Sequence, residues 1–293
     1  MDPSLYHRFF EVEDRHWWFV GRRRVVGALM EQALGSPGSG SRSGLPLRAG
    51  ASSQHSASTA DVAGERGGAP PARRILDVGC GTGGMLPLLS RFGHVTGTDS
   101  EPLALDYCRR RGFEDVHLQE AFTAPAPFDV VTLFDVLEHV PDHVGFLEWI
   151  RKLLKPDGHL VLTVPAFPFL WSRHDDLNHH QRRYKRADLK ATLEAGGFRV
   201  ERLTYFNFWL FPAAVATRAR GGKAESVAGR TTDPAAGRTT VDPAAEAAEI
   251  LKPLQIGAAN PVLAAVLGSE AGLVRQVDLP WGVSLAAVAR PAR

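Results

Sequence analysis

The sequence is short of cysteine and has no surplus of charge of either sign. Its 293 residues include only two cysteines, Cys80 and Cys108, which excludes a disulfide framework and a four-thiolate zinc site. Lys and Arg number 34 against 32 Asp and Glu, so the net charge of +2 excludes a protein that coats nucleic acid through a basic surplus. We therefore expect a protein of the reducing cytoplasm with no nucleic-acid partner.

Long apolar runs are also missing. The first 24 residues are charged and contain no apolar core, so they do not resemble a secretory signal. The two longest uncharged stretches, 203–217 and 253–269, fall short of the roughly 18 to 20 apolar residues that cross a bilayer. We expect no transmembrane segment. The apolar runs 206–212 and 261–267 can still form a substrate mouth or a transient membrane contact, although packing in the core or at a dimer contact is the ordinary explanation.

Large side chains are scarce in one segment near the amino terminus. Of the 38 residues in 35–72, 27 are Gly, Pro, Ser or Ala, so this segment has too little to bury to offset its ordering entropy. A second weak stretch, at about 219–249, contains a short tandem repeat. We predict a helical cap over 1–34, a flexible linker over 35–72, and a domain over 73–293 that carries a disordered insertion at 219–249.

Strand and helix signals alternate along the domain. This rhythm predicts an α/β fold in which a doubly wound, mostly parallel sheet has helices on both faces. Ligands of such folds bind at the carboxyl ends of the strands. The predicted strands are 74–79, 95–99, 116–118, 128–134, 159–164, 198–205 and 284–289. The predicted helices include 85–92 and 186–195, the second of which ends at Gly196.

A glycine motif follows the first predicted strand. Gly79, Gly81 and Gly84 satisfy G-x-G-x-x-G, and glycines there let the backbone approach a ligand closely. Asp99, at the end of the second strand, can accept hydrogen bonds from both hydroxyls of a ribose. These features fit a nicotinamide dinucleotide as well as any other adenosine ligand, so a nicotinamide-dependent reductase is one interpretation.

Asp77 distinguishes between these ligands. It lies inside the strand, two residues before the first glycine. A buried carboxylate there would repel a pyrophosphate, whereas an ammonium or sulfonium group would stabilise it. The residue therefore favours a cationic adenosine ligand over a dinucleotide.

Five ordered motifs resemble those of the class I S-adenosylmethionine-dependent methyltransferases, and more narrowly those of the quinone-biosynthesis O-methyltransferase group. The motifs are LDVGCGTG at 76–83, GTD at 97–99, FDVV at 128–131, DVLEH at 135–139 and LKPDGHLVL at 154–162. The resemblance covers 73 to about 205, with the last strand near 284–289. It implies a Rossmann-like sheet of seven strands whose last strand is antiparallel, with S-adenosylmethionine as the cofactor.

The resemblance also implies a reaction. It points to direct in-line transfer of a methyl group to a hydroxyl of a small molecule, which proximity and alignment accomplish with little covalent help. N- or C-methylation on the same fold is the alternative within this class. A reductase or a non-catalytic cofactor-binding protein is the alternative outside it. We expect an apolar or lipid-like acceptor and a monomer or homodimer.

Cofactor contacts are implied at the ends of the first strands. The glycines would line the methionine part, Asp77 would face the ammonium, Asp99 would hold the ribose and Ser100 would lie beside the adenine. Glu120 stands where family members often have an aspartate that meets the adenine; a surface carboxylate is the alternative. The implied set is Asp77, Gly79, Cys80, Gly81, Gly83, Asp99, Ser100, Glu120 and Asp135.

A group of polar residues follows the fourth strand. Asp135, Glu138 and His139 stand at i, i+3 and i+4, so on a helical turn they share a face that can hold a divalent cation or position a hydroxyl. The trio is similar to one associated with metal in quinone-biosynthesis O-methyltransferases. Support of the loop is the alternative role.

Two other segments carry candidates for the acceptor side. Residues 174–180 hold three His and two Asp, and either His174 or His179 would act as the general base, like His139. An ion-pair lattice that fixes the loop is the alternative. The amino-terminal segment is rich in aromatics, including Trp17 and Trp18, and suits an amphipathic helix that closes over the active site or packs against the sheet.

Overall fold

The computed structural model describes residues 3–35, 72–221 and 257–292. Nearly all of the predicted linker, 36–71, and most of the predicted insertion, 222–249, lie outside these residues, as does the tandem repeat. No helix within the described ranges is both long and apolar enough to cross a bilayer.

Strands and helices alternate in the central part of the chain. The strands are β1 (Arg74–Val78), β2 (His94–Asp99), β3 (Val116–Leu118), β4 (Phe128–Phe134), β5 (Leu154–Pro165), β6 (Phe198–Phe206) and β7 (Ser284–Pro291). The helices are α1 (Pro3–Val12), α2 (Trp17–Leu34), α3 (Leu86–Leu89), α4 (Pro102–Arg110), α5 (His143–Leu153), α6 (Arg173–Leu177), α7 (Arg186–Ala195), α8 (Phe211–Gly221) and α9 (Asn260–Val274).

The seven strands form one sheet in the order β3-β2-β1-β4-β5-β7-β6. The strands from β3 to β5 pair in parallel, and β7 runs antiparallel to both β5 and β6. The predicted fold, a mostly parallel seven-stranded sheet with an antiparallel last strand, is confirmed. The central strands read as nearly continuous apolar runs because helices cover both faces of the sheet.

Two predicted elements differ from the observed ones by more than two residues. β5 begins at Leu154 rather than at 159, because Leu154 already pairs with Phe128 before the register shifts. The helix after the glycine motif spans only Leu86–Leu89, since the chain caps at Ser90 and then turns at Gly93, where a Cβ atom would collide with the carbonyl of Arg73.

The amino-terminal segment forms two helices instead of one. His16 separates them and accepts a hydrogen bond from the Trp18 amide at the start of α2. Helix α2 packs along α9, with Gly21 against Leu267, and it contributes the fully buried Val25 and Met30 to the main core. The apolar stretch 261–267 therefore belongs to a helix packed on the domain, in keeping with the ordinary explanation.

Candidate functional site

A cavity of about 880 Å³ opens at the carboxyl ends of β1, β2, β4 and β5. The glycine motif and the two strand-end aspartates form one side, which we call the cofactor wall (Asp77, Gly79, Gly81 and Asp99). The opposite side, the acceptor wall, comprises Arg22, Asp135, Glu138, His139 and His180. Aromatic side chains of the amino-terminal helices close the cavity: Tyr6, Phe9, Trp17, Trp18 and Phe19.

Backbone geometry explains two of the glycines in the cofactor wall. Gly79 has φ 73°, and a Cβ atom there would lie 2.5 Å from Val136 Cγ2. Gly81 has φ 54°, but a Cβ atom on it would meet nothing within 4 Å. The first glycine lets the chain pass close to the loop after β4, and the second keeps open the space beside the backbone.

Asp77 is buried within β1. Its Oδ1 accepts a hydrogen bond from Thr132 Oγ1 (2.6 Å). Burial raises the pKa of Asp77 to about 7, although the Thr132 hydrogen bond and the charge of Arg22 act to lower it. An ammonium group placed beside this buried carboxylate would favour its ionised form.

Asp99 lies at the end of β2 and lines the same wall. Its Oδ2 accepts a hydrogen bond from the Gly81 amide (2.9 Å), and its Oδ1 accepts one from the Glu101 amide (3.0 Å). Burial raises the pKa of Asp99, against these backbone hydrogen bonds. The carboxylate is thus fixed beside the open space at Gly81, so the residues present fit a ligand that combines a ribose with an ammonium group.

The adenine end differs from the sequence prediction in one residue. Ser100 and Gln119 line the cavity, whereas Glu120 is exposed and is not part of the lining. Gly83 also lies outside the lining; its φ of 83° serves the turn. Cys80 does line the cavity, with its Sγ atom 3.8 Å from Cys108 Sγ. The sequence did not indicate Gln119, because the family resemblance implies a carboxylate at this place.

Asp135 forms an ion pair with Arg22 from helix α2. It also accepts a hydrogen bond from Thr163 Oγ1 (3.0 Å), and its backbone has φ 58°. The ion pair turns Asp135 toward the amino-terminal helix. Sequence analysis missed Arg22, because the run 22–24 gives no signal that separates a buried arginine from a solvated one.

Two histidines, His139 and His180, meet on the acceptor wall. Their ring centroids are 4.7 Å apart, and both side chains line the cavity. Burial lowers the pKa of His139 to about 4, and the neighbouring His180 adds to this effect. His139 is therefore uncharged at neutral pH.

His180 is oriented by a buried carboxylate. Its Nδ1 lies 2.9 Å from Asp175 Oδ1, and Asp175 also accepts hydrogen bonds from Arg183 (Nε, 2.7 Å) and from the Ser172 amide (2.8 Å). Burial disfavours the charge on Asp175, but the hydrogen bonds from His180 and Arg183 outweigh it and hold the pKa of that carboxyl well below its usual range. Because Asp175 is ionised, the proton of the neutral His180 ring lies on Nδ1, which donates a hydrogen bond to Asp175. Nε2 is then the hydrogen-bond acceptor of the ring.

The other two candidate histidines have different surroundings. His179 is exposed, has φ 57° and is absent from the cavity lining. His174 belongs to helix α6, and its side chain lies outside the described part of the chain. The histidine that this segment brings to the cavity is His180, which follows the predicted His179. Only the turn between α6 and α7 decides which ring points inward.

Glu138 lies deepest in the acceptor wall. It is fully buried, and neither carboxylate oxygen has a hydrogen-bond partner within the described residues. Burial, with a contribution from the charge of Asp135, raises its pKa well above the usual range. One ligand atom each from Glu138, His139 and His180 lie within 4.8 Å of one another. The trio that can hold a cation therefore contains His180 in place of the predicted Asp135.

The amino-terminal helices are fastened to the glycine motif. Thr82 Oγ1 donates to Glu13 Oε1 (2.7 Å), and Arg111 bridges Glu13 (3.0 Å) and Asp14 (2.9 Å). Burial raises the pKa of Glu13, against the Thr82 hydrogen bond and the Arg111 charge. Helix α1 thus lies over the cofactor wall.

Known proteins resemble this chain in sequence. The sequence profile described as "Methyltransferase domain" matches residues 49–203. The chain is 40% identical over 100 residues to the ubiquinone biosynthesis O-methyltransferase of Xylella fastidiosa, a match covering 31% of this chain and 41% of the relative. It is 35% identical over 102 residues to the mitochondrial enzyme of that name from Schizosaccharomyces pombe, covering 31% and 37%. The chain thus spans about two fifths of the length of these curated relatives.

Solved structures also resemble the chain. An S-adenosylmethionine-dependent methyltransferase from Archaeoglobus fulgidus has a TM-score of 0.43 and 17% identity, and the match covers 75% of this chain and 86% of that one.

Proposed function

Because the chain belongs to the methyltransferase-domain family and is an S-adenosylmethionine-dependent methyltransferase, we propose that it methylates a hydroxyl group of a small, largely apolar molecule. The observation that carries this proposal is the His180–Asp175 pair on the wall opposite the glycine motif. A hydroxyl must lose its proton to become a good nucleophile, and a histidine held by a carboxylate is suited to accept it. The names of the curated relatives agree with O-methylation.

In the proposed reaction, the cofactor wall binds the methyl donor. Bound S-adenosylmethionine supplies a methyl group already activated on a sulfonium. In the proposed site Asp77 holds its ammonium, Asp99 holds its ribose, and the backbone beside Gly81 gives it room. Of the remaining implied contacts, Gly79, Cys80 and Ser100 line the same cavity, as does Gln119 near the adenine.

The acceptor wall positions the hydroxyl compound and accepts its proton. His180 Nε2 takes the hydroxyl proton, and the Asp175 carboxylate stabilises the imidazolium that forms. His139, neutral at neutral pH, packs against this ring and limits where the acceptor can lie. The aromatic side chains at Trp17 and Trp18 exclude water and favour a flat or apolar acceptor.

A labelling experiment tests the proposal. The purified protein is incubated with methyl-labelled S-adenosylmethionine and a panel of phenols, catechols, amines and thiols of matched size. We expect label in acid-stable ethers of the hydroxyl compounds. Label confined to amines or thiols would overturn O-methylation and favour N- or S-transfer. Calorimetry supplies the cofactor control: S-adenosylhomocysteine binds and NADH does not, whereas a reductase would show the reverse.

A second candidate mechanism uses a divalent cation at Glu138, His139 and His180. It is favoured by the two unpartnered oxygens of Glu138 and by the closeness of the three ligand atoms. The cation would bind the acceptor oxygen and lower the pKa of the hydroxyl. A chelator then abolishes turnover, and added magnesium or zinc restores it. Turnover unchanged by chelation leaves the histidine pair as the proton acceptor.

A further inference from the structure

Two arginines at the mouth of the cavity have no acidic partner among the residues that the structure describes. Arg173 and Arg218 line the cavity, and both residues are exposed. An arginine that the fold does not use in an ion pair keeps its planar fork of N–H donors for a ligand, and carboxylates and phosphates match this fork. We call these two residues the rim arginines.

The rim arginines lie on the acceptor side of the cavity. Arg173 follows Ser172, whose amide and hydroxyl both donate to Asp175 Oδ2 (2.8 and 3.0 Å). Asp175 is the carboxylate that orients the proposed proton acceptor. Arg218 donates from Nε to the carbonyl of Leu170, in the same segment (3.0 Å). Both rim arginines are therefore tied to the segment that carries the proposed base.

The hydrogen bond to Leu170 also orients Arg218. It occupies Nε, and the terminal nitrogen atoms of the guanidinium have no hydrogen-bond partner within the described part of the chain. A side chain that is already held by its Nε loses less conformational freedom when it binds an anion. Arg218 is thus partly preorganised for a ligand in the cavity.

The other arginines of the acceptor side are neutralised by carboxylates. Arg22 is paired with Asp135, and Arg183 is paired with Asp175. Of the carboxylates described on this side, the fully buried Glu138 is then the one that remains to oppose the two rim arginines. The acceptor side therefore has a surplus of positive charge even when Glu138 is counted as ionised, and a cleft with such a surplus concentrates anions.

Two exposed acids in neighbouring segments do not form ion pairs with the rim arginines. Asp176 Oδ1 accepts a hydrogen bond from Trp171 Nε1 (2.8 Å), and Asp278 is paired with Arg186 (3.1 Å) and Arg202. Neither acid belongs to the cavity lining. The positive surplus of the acceptor side therefore faces the cavity.

A different arginine is available for the carboxylate of the cofactor itself. Arg23 lines the cavity at the glycine motif, where its Nη1 donates to the Gly84 carbonyl (3.4 Å). The family resemblance places the methionine part of S-adenosylmethionine along this motif. The rim arginines, on the opposite side, are thus left for a second anion.

We propose that the acceptor carries an anionic group, a carboxylate or a phosphate, in addition to the hydroxyl that receives the methyl group, and that the rim arginines bind this anion. The identity of the bound molecule as the acceptor rests on the proposed function. The aromatic side chains that close the cavity would contact its apolar body, and His180 would accept the hydroxyl proton. Because the anion is remote from the reacting oxygen, its contacts lower KM and leave kcat nearly unchanged.

Steady-state kinetics with three catechols that differ in charge tests this inference. The compounds are dihydroxyphenylacetate, its amide and the corresponding ethylamine, each with methyl-labelled S-adenosylmethionine. We expect the acid to have a KM about tenfold lower than that of the amide, the lower end of what charge-assisted hydrogen bonds contribute, at a similar kcat. The amine should have the highest KM. The preference for the acid should shrink in high salt, which screens exposed charges.

Matched variants identify the residues that bind the anion. Arg173→Gln and Arg218→Gln should each raise the KM of the acid by roughly threefold to tenfold and leave its kcat and the KM of the amide unchanged. Arg173→Lys keeps the charge and should retain most of the preference for the acid. Arg91→Gln is the control: this exposed arginine lies outside the cavity lining, three residues before β2, and its loss should change none of these constants.

Two results would overturn the anion site while O-methylation stands. One is an equal KM for the acid and the amide in the unchanged protein, or a preference for the amine. The other is a loss of S-adenosylhomocysteine affinity in Arg173→Gln or Arg218→Gln, which would show that the rim arginines bind the carboxylate of the cofactor.

Calorimetry on the complex with S-adenosylhomocysteine separates this inference from the proposed function, because it needs no turnover. If no hydroxyl compound is methylated, tighter binding of the acid than of the amide, lost when both rim arginines are replaced by Gln, still supports the anion site. Equal binding of the two, or no binding of the acid, overturns it. The matching phosphonate distinguishes the two anions: whichever of phosphonate and acid binds more tightly assigns the natural group as phosphate or carboxylate.

Discussion

The two walls of the cavity are built in different ways. The cofactor wall, from Asp77 to Asp99, is assembled by one strand-loop-helix-strand segment. Its Asp99 is held by the Gly81 amide of the same segment, and its Asp77 by Thr132 of the adjacent strand β4. The acceptor wall brings together α2, the loop after β4 and the turn after α6, and its residues are held across the fold by pairs such as Arg22–Asp135. A wall formed by one segment can be recognised in the sequence as a motif. A wall formed by three segments depends on how the helices pack in the tertiary structure.

The sharpest test of this contrast is on the acceptor wall. His180→Ala should lower kcat by roughly a hundredfold or more, the scale of general acid-base help, because it removes the proton acceptor. The affinity for S-adenosylhomocysteine should stay the same, since His180 is not part of the cofactor wall. His179→Ala is the matched control and should behave as the unchanged protein. Normal turnover of His180→Ala would mean that the pair with Asp175 only supports the loop.

The next largest effect is expected on the cofactor wall. Asp99→Ala should weaken S-adenosylhomocysteine binding by about 2 to 3 kcal/mol, the scale of charge-assisted hydrogen bonds, as measured by calorimetry. Asp106→Ala, an exposed aspartate on α4, is the control. Unchanged affinity in Asp99→Ala would show that this carboxylate only accepts the hydrogen bond of the Gly81 amide and does not bind the ribose. The assignment of this wall to the cofactor would then be wrong.

Asp77 gives a smaller effect that depends on pH. Its pKa is raised from 3.8 to about 7, so the cofactor-free protein loses stability as pH rises from about 4 to about 7 and the buried group must ionise. Asp77→Asn removes this loss, and at pH 8 its Tm should exceed that of the unchanged protein by roughly 3 to 6 °C.

Added S-adenosylhomocysteine should reverse the order of the two Tm values, because its ammonium stabilises the charged aspartate. Thermal denaturation at several pH values, with and without the ligand, checks both parts. A Tm of Asp77→Asn that falls with pH in parallel with the unchanged protein would contradict the assignment of the pH dependence to Asp77.

The smallest effect is expected for a change in the segment 38–70, which lies outside the described residues. Arg73 Nη2 donates to the Leu34 carbonyl (2.6 Å), so the two described ends that flank 36–71 approach each other. The segment 38–70 has few large apolar side chains. Replacing it with a short Gly-Ser linker should change the free energy of unfolding by less than about 0.5 kcal/mol and leave cofactor affinity unchanged. A loss of several kcal/mol would show that this segment contributes to the core.

Much of the fold followed from local pattern. The strand 128–134 and the helix 186–195 were predicted with the bounds that the structure has, because each is closed by residues that end an element, such as Gly196 after the helix. The single amino-terminal helix was wrong in extent, since the break at His16 depends on a cap and on contacts with Asn260 of α9. No periodicity in the first 34 residues carries that information.

The sequence by itself predicted the methyltransferase domain and the glycines and aspartates that line one wall of the cavity. The glycines, Asp77 and Asp99 occupy fixed places at the ends of adjacent strands, and parallel strands bring those ends together whatever the rest of the chain does. Only the tertiary structure decided that Arg22 reaches Asp135 and that His180 and not His179 faces the cavity. These contacts depend on packing and on buried charges between segments that are far apart in the chain. Local sequence patterns do not predict the energies of such interactions.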